Sequence, residues 1–414
     1  MHSHKVVITG IGPVSAIGVG REAFTRGLHS AVSGIREITA FDASRYGSGL
    51  AAEIQDFDVD EYLESQKSYL DRASQLGFAA MSLAIEDADL DLKTLDHDAT
   101  GLVFGTAFGC LETLGLFCAD LLKKGPHFVK PVLFPHTYAN TTISLLAMEY
   151  GLSGPHMCFA SGAAAGAQAI LCAYDWIRMG KANVCFAGAS ESLNEFLFAG
   201  YDRSGRLVRR EAGRPPAPFD RGRSGFALGE GGAVLVLESA EHAAARGAPV
   251  YGEIRGAGAA GENAVDKDSP AAESRIRRAM ELALAEAGLE AGGLDHVSAN
   301  ANGSISLDRN EVVAVNRLLD GAPGHALIAS IKSLVGETLG ASGPLQMAAA
   351  IVALQSGVVP ATANLTKPMD DVGVRLRFVI GENAQANPQT VLMNTIDPGG
   401  SIVSFVLGRG SDPK

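Results

Sequence analysis

The sequence is poor in aromatic and charged side chains, at 6% and 19%, and has a single tryptophan. Its formal net charge of −12 argues against binding to nucleic acids or anionic membranes, which select basic surfaces. No apolar run reaches the roughly 18 residues that a membrane-spanning helix needs. The first residues, His2-Ser3-His4-Lys5, lead directly into a predicted strand, so we expect no targeting segment and a cytoplasmic protein.

Cysteine is scarce too, and its spacing argues against two common uses. There is no CxxC pair and no metal-ligand spacing, so we expect neither a metal nor another cofactor. An odd number of cysteines in apolar segments predicts reduced, buried thiols. The five positions are Cys110, Cys118, Cys158, Cys172 and Cys185.

The chain is long and rich in glycine, with 414 residues, 49 glycines and 47% hydrophobic side chains. Short apolar strands alternate with amphipathic helices, which predicts an α/β protein whose mixed sheet is covered on both faces. This alternation runs through two similar cycles. We therefore expect a duplicated protein, with an N-terminal half over residues 1–250 and a C-terminal half over residues 251–414.

The segment Gly154-Pro155-His156-Met157-Cys158-Phe159-Ala160-Ser161-Gly162-Ala163-Ala164-Ala165-Gly166 is typical of a site for a nucleophile. His156–Ala160 is predicted as a buried strand that runs into a glycine-flanked corner and then into a long helix. Backbone N–H groups and the helix dipole at such a corner stabilise a thiolate or an oxyanion. The alternative nucleophiles nearby are Cys158 and Ser161, which we interpret as structural residues because burial raises the pKa of a thiol.

Three later motifs accompany this corner: Ser298-Ala299-Asn300-Ala301-Asn302, Lys332-Ser333-Leu334-Val335-Gly336-Glu337 and Asn394-Thr395-Ile396-Asp397-Pro398-Gly399-Gly400. Together they resemble the motifs of β-ketoacyl-ACP synthases, the condensing enzymes of fatty-acid and polyketide synthesis. The resemblance covers essentially the whole chain. It implies a thiolase-like α/β fold, a duplicated five-layered αβαβα architecture with two stacked sheets.

The resemblance also implies that four catalytic positions have changed. Ala163 stands where the family has its acyl-accepting cysteine, and Asn300 and Glu337 stand where it has two histidines. Pro398, which has no N–H, falls on an oxyanion donor. Lys332 is kept, and we expect it to pair with Glu337. On these grounds we expect a subunit that is not an enzyme on its own.

Within the family, this pattern resembles the chain length factor of type II polyketide synthases. The resemblance implies a heterodimer with a catalytic ketosynthase, which receives the growing chain from an acyl carrier protein and makes an aromatic or a polyene product. Residues expected to wall the acyl pocket are Phe108, Leu111, Phe134 and Tyr138. Two alternatives stay open: a homodimeric scaffold that binds acyl groups or acyl carrier protein, and an acyltransferase with an unorthodox nucleophile.

Overall fold

A computed structural model describes residues 4–262, 270–320, 326–370 and 376–410. Seventeen strands lie in these ranges: β1 Val6–Ser15, β2 Gly18–Val19, β3 Ile35–Glu37, β4 Leu50–Ala52, β5 Thr100–Thr106, β6 His156–Ala160, β7 Val184–Glu191, β8 Leu228–Gly229, β9 Gly231–Ser239, β10 Gly252–Gly261, β11 His296–Ser298, β12 Leu327–Ala329, β13 Val358–Val359, β14 Arg377–Phe378, β15 Ala384–Gln385, β16 Thr390–Ile396 and β17 Ser401–Arg409.

The same ranges contain eleven α-helices, joined by loops and short 3₁₀ turns. They are α1 Arg21–Ser30, α2 Arg72–Asp87, α3 Leu111–Lys124, α4 Thr141–Glu149, α5 Ala165–Arg178, α6 Glu195–Arg203, α7 Ala240–Arg246, α8 Pro270–Ala287, α9 Ile305–Leu318, α10 Lys332–Val335 and α11 Ser342–Ser356. None of the helices in the described ranges is long and apolar enough to cross a bilayer.

The strands repeat one pairing scheme. In the first half the order is β1-β9-β7-β5-β6, with two antiparallel pairings followed by two parallel ones. In the second half β10-β17-β16-β11-β12 repeats that sequence of pairings, and β14 adds a parallel edge strand. The two sheets join where residues 6–8 pair with residues 252–254. The duplicated architecture predicted from the sequence is confirmed.

The helices form the other three layers. Side chains of α5 and α11 pack with strands of both sheets in one buried cluster, so these two helices form the central layer. α2 and α4 cover the outer face of the first sheet, and α8 and α9 cover that of the second. α11 is hydrophobic all round and buried along nearly its whole length, as expected of a helix between two sheets.

Small residues let the two central helices approach each other. A Cβ on Gly343 of α11 would lie 2.8 Å from the backbone nitrogen of Ala167 in α5. A Cβ on Gly166 would lie 2.4 Å from the carbonyl oxygen of Gly340, just before α11. Both approaches are too close for any larger residue. The start of α5 is thus held against the loop that follows Glu337.

Two sequence predictions about burial are wrong. The strand β6 was expected to be buried, but it is the edge strand of the first sheet and all five of its residues are exposed or half-buried. Cys118 was expected to be buried and is exposed on α3, while Cys158 and Cys172 are half-buried. Both errors have one cause: the apolar residues around these positions belong to a surface of the chain and not to its core. All five cysteines are free thiols.

Candidate functional site

The corner before α5 presents a methyl group. β6 ends at Ala160, a 3₁₀ turn covers Gly162–Ala164, and α5 begins at Ala165. Gly162 has a φ of 72°, which favours glycine. Ala163 is buried, and its backbone N–H points to the position that an anion at a helix N-terminus would occupy. The corner thus keeps its backbone geometry without a thiol at residue 163.

A carboxylate of the chain itself occupies that position. The N–H of Ala163 donates to Oδ1 of Asp397 over 2.7 Å, and the N–H of Gly399 donates to Oδ2 over 2.6 Å. A Cβ on Gly162 would lie only 2.2 Å from Oδ1, so glycine is required for this contact. Burial raises the pKa of Asp397, and the charge of Glu337 adds to that rise, while the two N–H groups oppose it.

Asp397 was not among the site residues predicted from the sequence. The predicted residue was its neighbour Pro398, which borders a cavity of about 280 Å³ together with Arg206, Phe226 and Asn302. An acidic residue directly before the proline was the available signal, because a carboxylate is a good acceptor for the donors at a helix N-terminus.

The predicted pair of Lys332 and Glu337 is confirmed. Nζ of Lys332 lies 2.9 Å from Oε2 of Glu337 and donates to Oδ1 of Asn300 over a further 2.9 Å. The other oxygen of Glu337 accepts the hydroxyl of Ser342 over 2.7 Å, and Nδ2 of Asn302 donates to Oε2 over 2.8 Å. All five side chains are buried.

This network fixes the protonation of Glu337. Burial acts to raise its pKa, but the charge and hydrogen bond of Lys332, with the donors Asn302 and Ser342, outweigh burial and leave the pKa lowered. A buried pair of this kind is costly to break from one side, because the remaining charge loses its partner.

Asn300 is held by a second buried carboxylate. Its backbone N–H donates to Oε1 of Glu311 over 2.9 Å, and Nδ2 of Asn394 donates to the same oxygen over 3.1 Å. Burial raises the pKa of Glu311 to about 7 despite these hydrogen bonds. Oδ1 of Asn300 also accepts the N–H of Ile396 over 3.0 Å, so this side chain connects Lys332 to the strand before Asp397.

The four residues predicted for the pocket wall lie in two places. Phe108 and Leu111 border an apolar cavity of about 320 Å³, together with Phe196, Leu197 and Tyr201. The ring of Phe108 meets that of Tyr201 edge-on, with centroids 6.3 Å apart, and Phe108 remains 44% exposed.

Phe134 and Tyr138 belong to a different surface. They pack against each other, with centroids 5.3 Å apart, and Phe134 also meets Phe117 of α3. Neither residue borders the cavity at Phe108. Both are about half exposed, at 50% and 49%. They continue the exposed apolar surface of α3, near the edge strand β6.

The two cavities are neighbours. Arg206 borders both, and the rings of Tyr201 and Phe226, one from each cavity, lie 5.8 Å apart edge-on. We call the polar cluster of Lys332, Glu337, Asn300, Asn302 and Asp397 the centre. The aromatic pair connects it to the apolar cavity at Phe108. The described residues contain no group of three His, Cys, Asp or Glu side chains suited to a metal ion.

The substitute nucleophiles considered from the sequence have structural partners. Sγ of Cys158 donates to the carbonyl of Ala139 over 3.8 Å, and burial raises its pKa. The hydroxyl of Ser161 donates to Oε1 of Gln168. Neither contact activates a nucleophile, because the thiol and the hydroxyl each donate a proton to an uncharged amide oxygen and not to a general base.

Family models match most of the chain. Residues 3–243 match the β-ketoacyl synthase N-terminal domain and residues 251–366 match its C-terminal domain. The chain is 32% identical to 3-oxoacyl-[acyl-carrier-protein] synthase 2 of Synechocystis sp., with 99% of each chain covered.

Two solved structures are similar throughout. The ishigamide ketosynthase/chain length factor matches with a TM-score of 0.92 and 29% identity over 99% of this chain and 100% of that one. A type II polyketide synthase acyl-carrier protein in complex with its ketosynthase bound to the hexaketide matches with a TM-score of 0.89 and 25% identity, at the same coverage.

These comparisons correct one expectation. We expected a chain that is not an enzyme on its own, and this is wrong, because the curated relatives that match over the full length are 3-oxoacyl-ACP synthases, which are enzymes. The expectation gave the changed residues too much weight. The chain keeps the buried charged residues Asp308, Glu311 and Lys332 beside the changed positions, although burying charges is costly.

The predicted resemblance and the predicted fold are thus both confirmed. The corner before α5 and the pair of Lys332 and Glu337 lie within the matched ranges, and the strands β14 to β17 follow them. The chain belongs to the β-ketoacyl synthase family.

Proposed function

We propose that this chain is the chain length factor of a type II polyketide synthase: the subunit of a two-chain ketosynthase enzyme that shapes the acyl pocket. The observation that carries the proposal is a contrast within the site. Lys332 pairs with Glu337 and Asp397 accepts the N–H of Ala163, so contacts within the chain fill the centre, while the apolar cavity at Phe108 stays open. The similarity to a solved ketosynthase/chain length factor supports it.

In this proposal Ala163, Asn300, Glu337 and Pro398 stand at positions that a second, cysteine-bearing ketosynthase fills with its catalytic groups. That partner holds the growing chain on its cysteine, and an acyl carrier protein delivers the substrate. Residues 1–250 and 251–414 are the two halves of the subunit. The similarity to a polyketide ketosynthase in complex with its acyl-carrier protein supports both partners.

Product length then follows from packing. Phe108 and Leu111 form an end wall, and each further two-carbon unit has to displace that wall or stop at it. Overpacking a filled apolar site costs about 1–3 kcal/mol. Because about 1.4 kcal/mol is a factor of ten, one unit too many is disfavoured roughly tenfold or more. The product is an aromatic or a polyene chain.

The surface for pairing is the edge strand β6 with the apolar side chains beside it. Met157, Phe134 and Tyr138 are exposed there, and Leu122 of α3 is 85% exposed. An unpaired apolar edge strand is an aggregation hazard, so it is normally covered. We propose that a ketosynthase covers it across a pseudo-two-fold axis, with Phe134 and Tyr138 facing the partner.

Co-expression with candidate ketosynthases tests the proposal. We expect this chain to form a stable heterodimer with one of them, as measured by native mass spectrometry, and the heterodimer to make a polyketide whose length depends on this chain. A Met157→Asp substitution on β6 should abolish pairing, whereas Val32→Asp, on an exposed side chain just after α1, should not. Two results would contradict the proposal: a chain that forms only homodimers, and a ketosynthase whose product has the same length with and without this chain.

A second candidate is a 3-oxoacyl-ACP synthase of fatty-acid synthesis that acts as a homodimer. The 32% identity over 99% of the chain favours it. Intact-protein mass spectrometry after incubation with acyl-ACP separates the two candidates. An acyl adduct on this chain, together with condensation of malonyl-ACP by the homodimer, supports the second one.

A further inference from the structure

Glu191 is a buried carboxylate next to the pocket wall. It is the last residue of β7, and only 1% of it is exposed. It has no ion-pair partner among the salt bridges of the described residues, unlike the buried carboxylates Glu230, Glu238 and Glu337. An isolated buried charge is costly, so backbone donors have to compensate for the lost water.

Those donors come from the loop that carries Phe108. The N–H of Ala107 donates to Oε2 of Glu191 over 2.7 Å, and the N–H of Phe108 donates to Oε1 over 3.0 Å. The hydroxyl of Thr106 lies 3.3 Å from both oxygens, and it accepts the N–H of Gly109 over 2.7 Å. One carboxylate thus binds the loop over residues 106–109.

The same carboxylate reaches the central layer. Gly340 packs directly against it, since a Cβ on Gly340 would lie 2.8 Å from Oε2 of Glu191. The carbonyl of Gly340 in turn packs against Gly166 of α5. Glu191 therefore binds the loop of Phe108 by hydrogen bonds and packs, through Gly340, against the corner before α5.

The position of Phe108 depends on this anchor. Its side chain is 44% exposed and its ring has one aromatic contact, the edge of Tyr201. Packing alone leaves such a ring several rotamers, so the backbone held by Glu191 determines where the ring stands. Burial raises the pKa of Glu191 to about 7 and the backbone donors oppose that rise.

We propose that Glu191 is a positioning residue that sets the length of the bound acyl chain through Phe108. This inference rests on the proposed function, in which Phe108 is part of the pocket wall. Because the carboxylate of Glu191 holds the N–H groups of Ala107 and Phe108, the ring of Phe108 closes the acyl pocket at one fixed depth. Loss of either acceptor oxygen frees the loop, and the site then accepts acyl chains of several lengths.

The test measures affinity for saturated acyl-pantetheines that differ by two carbons, by calorimetry on the assembled enzyme. We expect the wild type to discriminate about tenfold between its preferred length and the next longer one. Glu191→Gln replaces one acceptor oxygen with an N–H₂ group, so discrimination should fall to about twofold. Glu191→Asp keeps both oxygens but is one methylene shorter. It should keep the discrimination and change the preferred length, because the loop is drawn back by about 1 Å.

The controls separate this inference from the proposed function. Glu230→Asp shortens another buried carboxylate, one that holds Arg72 and the N–H of Ile54, and it should leave the length preference unchanged. Phe108→Ala should abolish discrimination.

If Phe108→Ala does so while Glu191→Gln and Glu191→Asp behave as wild type, the inference about Glu191 is overturned and the proposed function stands. If Phe108→Ala has no effect, the proposed function fails. Should Glu191→Gln not fold, an unchanged preferred length in folded Glu191→Asp is sufficient to overturn the inference.

Discussion

Two regions of this chain, the centre at Lys332 and the cavity at Phe108, are built in opposite ways. At the centre, Lys332, Glu337 and Asp397 each contact polar groups of the chain itself within 3 Å. At the cavity, Phe108 and Leu111 face open space of about 320 Å³, and the charged group that stabilises the wall, Glu191, lies behind it.

The difference indicates where a ligand can bind. At the centre the charged groups already bond to the chain and leave a substrate few free donors, among them Nδ2 of Asn300, and breaking these bonds exposes charges that are already desolvated. An open apolar cavity binds an acyl chain by removing it from water, at about 0.8 kcal/mol for each CH₂. We therefore expect substitutions at the centre to change stability, and substitutions at the cavity to change ligand preference.

The largest expected effect on stability is at Glu337. Replacing Glu337 with Ala leaves Lys332 buried without its anion and should lower the free energy of unfolding by about 3–5 kcal/mol. The matched control is the double variant Lys332→Met/Glu337→Leu, which removes both charges and should cost much less. Urea denaturation measures both. A loss below about 1 kcal/mol in the single variant would mean that the pair is solvated.

Asp397 should have a smaller effect, because it is only partly buried. Asp397→Ala removes the acceptor of the Ala163 and Gly399 N–H groups, which costs about 1–3 kcal/mol when no water replaces it. Asp397→Asn keeps one acceptor oxygen and should recover about half of the loss. The melting temperatures of the two variants test this order. Equal stability of Asp397→Ala and the wild type would show that the carboxylate is dispensable at the corner.

Phe108 should contribute little to stability. Because Phe108→Ala removes a half-exposed ring, we expect a change within about 1 kcal/mol. Phe104→Ala, four residues earlier and buried on β5, should cost about 3–5 kcal/mol. Comparing the two unfolding curves separates a wall residue from a core residue. Similar losses in the two variants would place Phe108 in the core.

The two carboxylates of the centre should respond to pH in opposite directions. The pKa of Glu337 is lowered, so its contribution to stability is present above the ordinary carboxyl pKa and is lost as the pH falls. The pKa of Asp397 is raised, so its contribution is present at low pH and is lost as the pH rises through the folded-state pKa. The free energy of unfolding, measured across pH, tests both. Glu337→Gln should lack the loss of stability at falling pH, and Asp397→Asn should lack the loss at rising pH. Identical pH profiles would contradict the opposite shifts.

Much of the fold could be predicted from the sequence, because its signals are local. Apolar strands, amphipathic helices and a glycine-flanked corner lie in short stretches, and the pairing of Lys332 with Glu337 follows from two opposite charges five residues apart in one apolar segment. Motifs that span the chain identified the family.

What the sequence could not provide is contact between distant segments. Asp397 meets Ala163 across 234 residues, and Glu191 meets Phe108 across 83, with no local pattern to connect them. The exposure of β6 was missed for a related reason: an apolar strand at the edge of a sheet can have the same composition as one in a core. The same ambiguity misled the prediction for Cys118.

The most direct test of the proposed role is the length of the product made by the assembled enzyme with Phe108→Ala. Mass spectrometry of the polyketide, compared with that made by the wild-type pair, measures it under conditions in which both pairs are intact. We expect the product to grow by at least one two-carbon unit, because the cavity gains the volume of a phenyl ring. An unchanged distribution of lengths, from a folded and fully paired variant, would contradict the role of this subunit in setting chain length.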